Sequence, residues 1–380
     1  MNQVANNYDI AIIGGGLAGL ATAIEQTSLG RKVILFEKKQ YPFHKVCGEY
    51  ISNEAWNYLE YLGLALKDWD LPQITQLKVS SAQGNELNQP LKKGGFGISR
   101  YFLDHQLFQL AQKKGVEVHE NTEITELEFE NDQHILKFDE KIVCAKLVVG
   151  SFGKRSKLDR QLDRNHMQIT QARNYIGVKY HIKAALPANL IGLHLFKNGY
   201  CGISKVEGTN NYCLCYLTLA SELKNCNNSI EELENKVLSK NKYLKEYLSY
   251  ERIYEAPEVI AQLNFKPKRS IEKHVFMLGD AAGLITPLCG NGMSMALCAA
   301  HGFSQLSENY FSNKINRSQL EKQYQEWWKG QFGFRLKAGR LLQHLFYQPA
   351  LLNPALRLLS RAKGLSNFLI ALTHGKDILK

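Results

Sequence analysis

The sequence predicts an α/β fold: a parallel-sheet domain assembled from separated stretches of chain, an antiparallel sheet inserted into it, and a helical extension at the C-terminus. Three observations carry this. Residues 8–13 (YDIAII) form an apolar run leading through GGGLAG into a helical stretch, residues 175–219 keep a period of two, and the last seventy residues look helical and basic. At 380 residues, 44% hydrophobic and 22% charged, the chain can bury a large core without metals or disulfides. Disorder, collagen and coiled coil are excluded.

Taken in order, residues 8–13 suit a buried parallel strand, residues 17–29 a helix closed by Gly30, and residues 32–36 (KVILF) a second strand ending at Glu37. That is a complete βαβ unit. Residues 43–51 (FHKVCGEYI) read as a polar loop and 53–62 as a helix, and Leu103, Leu107, Leu110 and Ala111 share one face of another helix. Residues 123–130, 134–139 and 142–149 predict a meander of short strands. YIGVKYHI and YCLCYLTL then alternate as an antiparallel sheet with one covered face, 229–250 return to helix, and 275–278 (VFML) are again a buried strand. The predicted division is 1–75, 100–160 and 271–310 for the parallel-sheet domain, 76–99 and 161–270 for the inserted sheet, and 311–380 for the helical region.

The net charge is +11, and its distribution says more than its size. Residues 311–380 carry twelve Lys or Arg against Glu321, Glu326 and Asp377, with apolar clusters such as Leu341, Leu342, Leu345 and Phe346. Without a zinc finger, an RNA-binding signature or a long basic run, nucleic acid is not an expected partner. A basic helical end with apolar clusters predicts either a cap on the inserted sheet or a peripheral contact with a membrane. Residues 281–300 lack charge, but Gly283, Pro287, Gly290, Asn291 and Gly292 favour a loop entering a helix over a bilayer span. Eight cysteines with no CxxC make neither a disulfide framework nor a zinc site, and Cys213 and Cys215 point to one face of a strand. No metal is expected. Arg31 is the first basic residue, so no export signal is expected and the predicted location is cytoplasmic.

Gly14, Gly16 and Gly19 fit GxGxxG directly between a strand and a helix, the Rossmann-like arrangement that binds dinucleotides. The first glycine permits the tight turn, the second lets a pyrophosphate approach the backbone, and the third lets helix and strand pack closely. The helix N-terminus adds free amides and a positive dipole end. Glu37, eighteen residues after Gly19, can accept hydrogen bonds from an unphosphorylated ribose, as in FAD or NAD. A second cluster favours FAD. Residues 275–295 (VFMLGDAAGLITPLCGNGMSM) place Gly279 and Asp280 at a strand end, and a glycine pair around Asn291 at the mouth of a helix. An acid there can bind a polyol chain, and a helix N-terminus can stabilise negative charge on a reduced flavin ring.

On these residues the chain resembles the FAD-dependent oxidoreductases of the para-hydroxybenzoate hydroxylase and geranylgeranyl reductase group. The resemblance covers roughly residues 8–310 and rests on GGGLAG with Glu37, KVCGE at 45–49, Arg100, and GDAAG with PLCGNGM. It implies that Asp280, with Gly279, binds the ribityl chain, that Gly290, Gly292 and Met293 lie against the isoalloxazine, and that Ile124 presents its backbone to the adenine. Lys45 and Arg100 would help hold the cofactor. Cys47, in a loop that by resemblance faces the flavin, and Tyr200 are the candidate catalytic residues.

The departures bear on the reaction. The DG pair usual after the third meander strand is replaced by Gly150, Ser151, Phe152 and Gly153, with Phe152 standing where the acid would be. The YxWxFPK segment of geranylgeranyl reductases is here YCGISK (200–205), which has lost the Trp, Phe and Pro. The WxWxIP signature of flavin halogenases is absent, because the tryptophans are Trp56, Trp69, Trp327 and Trp328. The sequence therefore predicts an FAD enzyme, with hydroxylation of a hydrophobic aromatic, polyketide-like or lipid-like substrate favoured over double-bond reduction in an isoprenoid. A non-catalytic flavin redox sensor or partner-binding flavoprotein is the reading from a different class. A single GxGxxG implies that NAD(P)H docks only transiently as electron donor.

Overall fold

The computed structural model describes residues 6–164, 174–286, 288, 290–346, 349–372 and 374–379; Pro287 lies outside them, as do the side chains of Leu345 and Phe346. Asn6–Ile13 (β1) runs through the glycine loop into Leu17–Ser28 (α1) and Val33–Phe36 (β2). Tyr50–Ser52 (β3), Trp56–Leu62 (α2), Gln73–Ser80 (β4) and Glu86–Gly97 (β5) follow. Arg100–Lys113 (α3) leads to Glu117–His119 (β6), Glu126–Glu130 (β7), Gln133–Phe138 (β8), Lys141–Gly150 (β9) and Leu158–Gln161 (α4). Next come Tyr175–Lys183 (β10), Leu190–Phe196 (β11), Gly199–Lys205 (β12), Asn211–Leu219 (β13), Ala220–Asn225 (α5), Ile230–Lys236 (α6), Lys242–Tyr247 (α7) and Glu258–Leu263 (β14). Ile271–Glu272 (β15), Val275–Met277 (β16), Gly292–Phe311 (α8), Arg317–Phe346 (α9), Pro349–Arg361 (α10) and Lys363–Ala371 (α11) complete the chain.

Two sheets organise these elements. The first has the order β15-β16-β9-β1-β2-β6, with β16, β9, β1, β2 and β6 parallel and the β7–β8 hairpin attached to β9. Parallel strands are covered on both faces, which is why β2 and β16 read as unbroken apolar runs. The second sheet has the order β14-β10-β13-β12-β11-β4-β5-β3. It is antiparallel except where β4 lies parallel to β11, because the β4–β5 hairpin arrives from an earlier stretch of chain and joins the edge. Tyr50–Ser52 pairs with β5 and so belongs to this second sheet, although residues 1–75 were expected in the parallel-sheet domain. Three residues are too short for a strand signal, and the period of two cannot reveal them.

Helix α1 is buried along most of its length, between the parallel sheet and α3 and α8. Ser99 caps α3, its Oγ accepting from Phe102 N at 3.1 Å, an interaction typically worth about 1 kcal/mol. The inner side of α10 covers the second sheet, where Leu352, Leu356 and Leu359 join Val79, Leu87, Leu195, Tyr200 and Leu217 in one apolar cluster. Polar latches fix the cap: Ser81 and Asn85 both donate to Asn353 Oδ1 at 2.9 Å, and Gln89 Nε2 donates to Asn367 at 2.7 Å. The end of the chain returns to Glu54, whose carbonyl accepts from Ile378 N at 2.9 Å. Helices α10 and α11 therefore cap the second sheet, while α9 packs against α8 and the parallel-sheet core through Leu320, Tyr324, Trp328, Phe332 and Leu336. No helix among the described residues is long and apolar enough to cross a membrane.

Candidate functional site

Each glycine of the first loop has its own geometric reason. Gly14 has φ +106°, and a Cβ there would stand 2.6 Å from the Ser151 backbone, so the turn and its approach to the end of β9 both require glycine. A Cβ on Gly19 would collide with the Gly14 carbonyl. Gly16 has an ordinary extended backbone and open space above it, bounded by Lys45 Nζ at 3.6 Å and an Arg100 guanidinium nitrogen at 3.8 Å from a Cβ placed there. Gly16 is the N-cap of α1, with no side chain bonded to the first-turn amides. Uncapped amides, a helix dipole and two cations around one opening fit a pyrophosphate.

The two cations are held by one buried carboxylate. Arg100 makes a fork to Asp104, both bonds 2.7 Å, and Lys45 Nζ lies 3.0 Å from Asp104 Oδ2. Burial opposes ionisation of Asp104, but Arg100 and Lys45 outweigh it and hold its carboxyl below the usual range. Two cations facing one acid leave a net positive charge for an incoming anion. Glu37 is buried, its oxygens accepting from Gly15 N at 2.9 Å and Lys39 N at 3.1 Å, so it fixes the glycine loop. A carboxylate can accept about four hydrogen bonds, which leaves capacity for a ribose. Tyr41 donates to the Gly15 carbonyl and stacks on Phe108 with ring centroids 4.4 Å apart. Ile124 is buried in the segment after β6, where Thr122 N donates to the Glu37 carbonyl.

Glu49 joins this cradle to the second sheet. It is fully buried with φ +55°, accepts from Arg100 N at 2.9 Å, and pairs with Lys179 Nζ and, at 2.6 Å, with His181 Nε2, both on β10. Burial opposes its ionisation, yet Lys179 and His181 outweigh that and hold the carboxyl at about 2. Lys179 also donates to the Lys45 carbonyl at 3.2 Å, and the Cys213 thiol to the Cys47 carbonyl at 3.3 Å. Cys213 is thus a support of the loop as well as packing.

At the other end, Gly279 (φ +57°) turns the chain after β16, and Asp280 lies near enough to Arg100 and Lys268 to influence both. Gly290 (φ +62°) packs on the Tyr50 ring, and Gly292 and Met293 open α8, a helix with no acid in its first turn. Among the described residues, Tyr50 Oη, Thr286 Oγ1 and Ser294 Oγ are buried without a hydrogen-bond partner. Orphaned hydroxyls on and around this loop have hydrogen-bonding capacity for a polar group held there. Both ends therefore fit a flavin dinucleotide.

The face of the second sheet turned toward this loop is graded. Cross-strand pairing sets Leu195, Tyr200 and Leu217 in one row, Leu193, Gly202, Cys215 and Lys179 in the next, and Ser204, Cys213 and His181 in the third. The first row is apolar and closed over by Leu284 and Leu352. The third is polar, and Ser204 donates to the Gly48 carbonyl at 3.4 Å. In the middle row Leu193, Gly202 and Cys215 are only half-buried, and a Cβ on Gly202 would meet nothing nearer than 3.8 Å. Burial and the neighbouring Cys47 push the Cys215 thiol up to about 12.

The structure brings Gly16, Lys45, Cys47, Arg100 and Asp280 together. It keeps Tyr200 apart from Cys47, four residues along β12 from the strand position that touches the loop. Asp104, Lys179, His181 and Tyr41 lie outside the motifs legible in the sequence, and Glu49 enters them only as the last residue of KVCGE. Asp104 follows Arg100 by four on one helix, a spacing that signals a pair; Lys179 and His181 were legible only as alternating strand residues. Phe152 rests beside Gly150, and Ser151 takes the loop contact, donating to the Gly14 carbonyl at 2.6 Å. Replacing Asp280 by Ala should weaken FAD binding by about 1.5–3 kcal/mol, the scale of a hydrogen bond to a charged group. Titration of apoprotein checks this, and unchanged affinity would remove Asp280 from the cofactor site.

The sequence matches the family described as FAD binding domain over residues 7–305. Conditioned medium factor receptor 1 of Dictyostelium discoideum is 25% identical, over 93% of this chain and 74% of that protein. Digeranylgeranylglycerophospholipid reductase 2 of Methanopyrus kandleri is 22% identical, over 98% of this chain and 94% of its own. Among solved structures, pqsL of Pseudomonas aeruginosa, described as a probable FAD-dependent monooxygenase, superimposes with a TM-score of 0.74 at 17% identity, covering 93% of this chain and 100% of that one. At that identity the likeness is one of fold.

Proposed function

Because the chain belongs to the FAD binding domain family and is an FAD-dependent oxidoreductase, we propose that it is a monooxygenase hydroxylating an aromatic ring that carries a long apolar chain. The observation that supports this most directly is the half-buried middle row of Leu193, Gly202 and Cys215 between an apolar and a polar row. A flat ring fits on the floor left open by Gly202, with its polar substituents toward Ser204 and Lys179 and its chain directed at the row of Leu195, Tyr200 and Leu217, where it would displace the covering Leu284 and Leu352. Bound FAD supplies two-electron chemistry and, once reduced, activation of dioxygen. NAD(P)H, dioxygen, a proton and the substrate then yield NAD(P)+, water and the hydroxylated product.

The chain's own residues orient and protect. Lys45, Arg100 and the α1 amides hold the phosphates, while the α8 N-terminus favours negative charge on the ring. Burial opposes the charge on Lys179, but Glu49 outweighs it and raises its pKa, so Lys179 stays an ammonium donor. Cys47 Sγ, half-buried beside Cys215, is the group placed to exchange a proton with a bound ring.

A second reading, reduction of carbon–carbon double bonds in an isoprenoid lipid, is favoured by the reductase relative that spans nearly the whole chain. Against it stands YCGISK, where Gly202 leaves open space in the segment that is aromatic and proline-rich in those reductases. Labelled dioxygen separates the two. With a long-chain alkylphenol and NADH or NADPH, one labelled oxygen should enter the product, whereas anaerobic saturation of an isoprenoid lipid without oxygen incorporation would reverse the assignment. Replacing Cys47 by Ser should leave FAD affinity unchanged and lower turnover about tenfold to a hundredfold, within the range of general acid–base effects; unchanged turnover would leave Cys47 a packing residue.

A further inference from the structure

Between Glu326 and Asp377 the chain contains no acid and eight Lys or Arg. Six of these, Lys329, Lys337, Arg357, Arg361, Lys363 and Lys376, are exposed. The same stretch holds five of the ten large hydrophobic side chains exposed among the described residues: Phe334, Leu341, Leu358, Leu365 and Phe368. They lie on three helices in succession, α10 packing against both α9 and α11. On α9, Phe334, Lys337 and Leu341 share one stripe, while Phe332 and Leu336 pack into the core. On α10, Leu358 and Arg361 face outward, while Leu352 and Leu356 lie on the second sheet.

We propose that the outer side of α9–α11 seats the enzyme on an anionic bilayer surface, with α10 the wall shared between that surface and the apolar row of the second sheet. Large apolar side chains spaced among cations, with no acid, match the interface of an anionic membrane, where burial of the former and attraction of the latter add together. Nucleic acid would leave the leucines and phenylalanines unused. A second copy docking by the same face would set like cations against like. The helices would lie on the membrane, since none among the described residues is long and apolar enough to cross it. The role of α10 rests on the proposed apolar-chain substrate, which would pass from the lipid to the row lined by Leu195, Tyr200 and Leu217.

Flotation of the FAD-loaded full-length protein tests the surface directly. It should float with phosphatidylcholine vesicles containing 30% phosphatidylglycerol at low salt, stay in solution with phosphatidylcholine alone, and be released in 0.5 M NaCl. A variant with Phe334→Ser, Leu341→Ser and Phe368→Ser, and another with Arg361→Glu and Lys363→Glu, should bind at least tenfold less. Both should keep wild-type flavin absorbance, thermal midpoint and turnover of a detergent-dispersed alkylphenol, because those side chains are exposed. Absence of binding to anionic vesicles, wild-type binding by both variants, or a dimer in sedimentation that both variants dissolve would overturn the proposal. Failure of turnover in the wild-type protein, with vesicle binding intact, would instead count against the hydroxylase reading alone.

Discussion

Replacing Gly16 by Val should give a folded, colourless protein whose affinity for FAD has fallen about a thousandfold, near 4 kcal/mol. The fall is large because the added side chain enters the opening between the α1 amides, Lys45 and Arg100, and so displaces several charge-assisted hydrogen bonds at once. Folding should survive, since the backbone at Gly16 is extended (φ −82°, ψ −175°) and no other protein atom approaches closely. Gly19→Val makes the contrast: its side chain meets the Gly14 carbonyl, so it should lower stability as well as affinity. Apoprotein titration with FAD, read beside the thermal midpoint, separates the outcomes. A yellow Gly16→Val protein with wild-type affinity would show that the pyrophosphate lies elsewhere.

Glu49→Leu should cost on the order of 3–5 kcal/mol of stability, because it strands the buried Lys179 ammonium. It also leaves His181 and the Arg100 amide without their acceptor. Glu49→Gln, which keeps the shape and some of the bonds, should cost less. The acid limb gives an independent sign. The folded-state value of Glu49 is about 2 against 4.5 for the free side chain, so its contribution is complete above about 4.5 and is lost as pH falls from there through 2. Across that window the wild-type thermal midpoint should fall more steeply than that of Glu49→Gln. Parallel curves, or a Leu variant as stable as wild type, would show that the cluster adds nothing to stability.

The parallel-sheet half of the fold was legible because its signals are local. A strand, three glycines and a helix fall within twenty-odd residues, a pattern that can be read before the distant groups facing Gly14 and Gly16, namely Ser151, Lys45 and Arg100, are known. The turn at Gly279 and Asp280 after β16 and the start of α8 at Gly292 were legible for the same reason. The Glu49 cluster was not, because its partners lie about 130 residues away and mean nothing until β10 is folded over the loop. Tyr50–Ser52 was hidden by its length, and the parallel pairing of β4 with β11 by its origin in two distant segments. Charge counting left open whether the basic end is a cap or a contact surface. The structure shows an apolar inner side on α10 that period and composition could not assign to the second sheet.

The loop of residues 45–52 gives the molecule a seam that domain boundaries do not reveal. Its first residue, Lys45, is one of the two cations on Asp104, Glu49 grips β10, and its last three residues form the edge strand of the second sheet. A chimera that imports a foreign second sheet at 76–99 and 161–270 would keep this loop and lose the lysine and histidine it is built around. Recombination between members of such a fold should therefore succeed only when residues 45–52 travel with the sheet they edge, so that the unit of inheritance is the seam and not the domain.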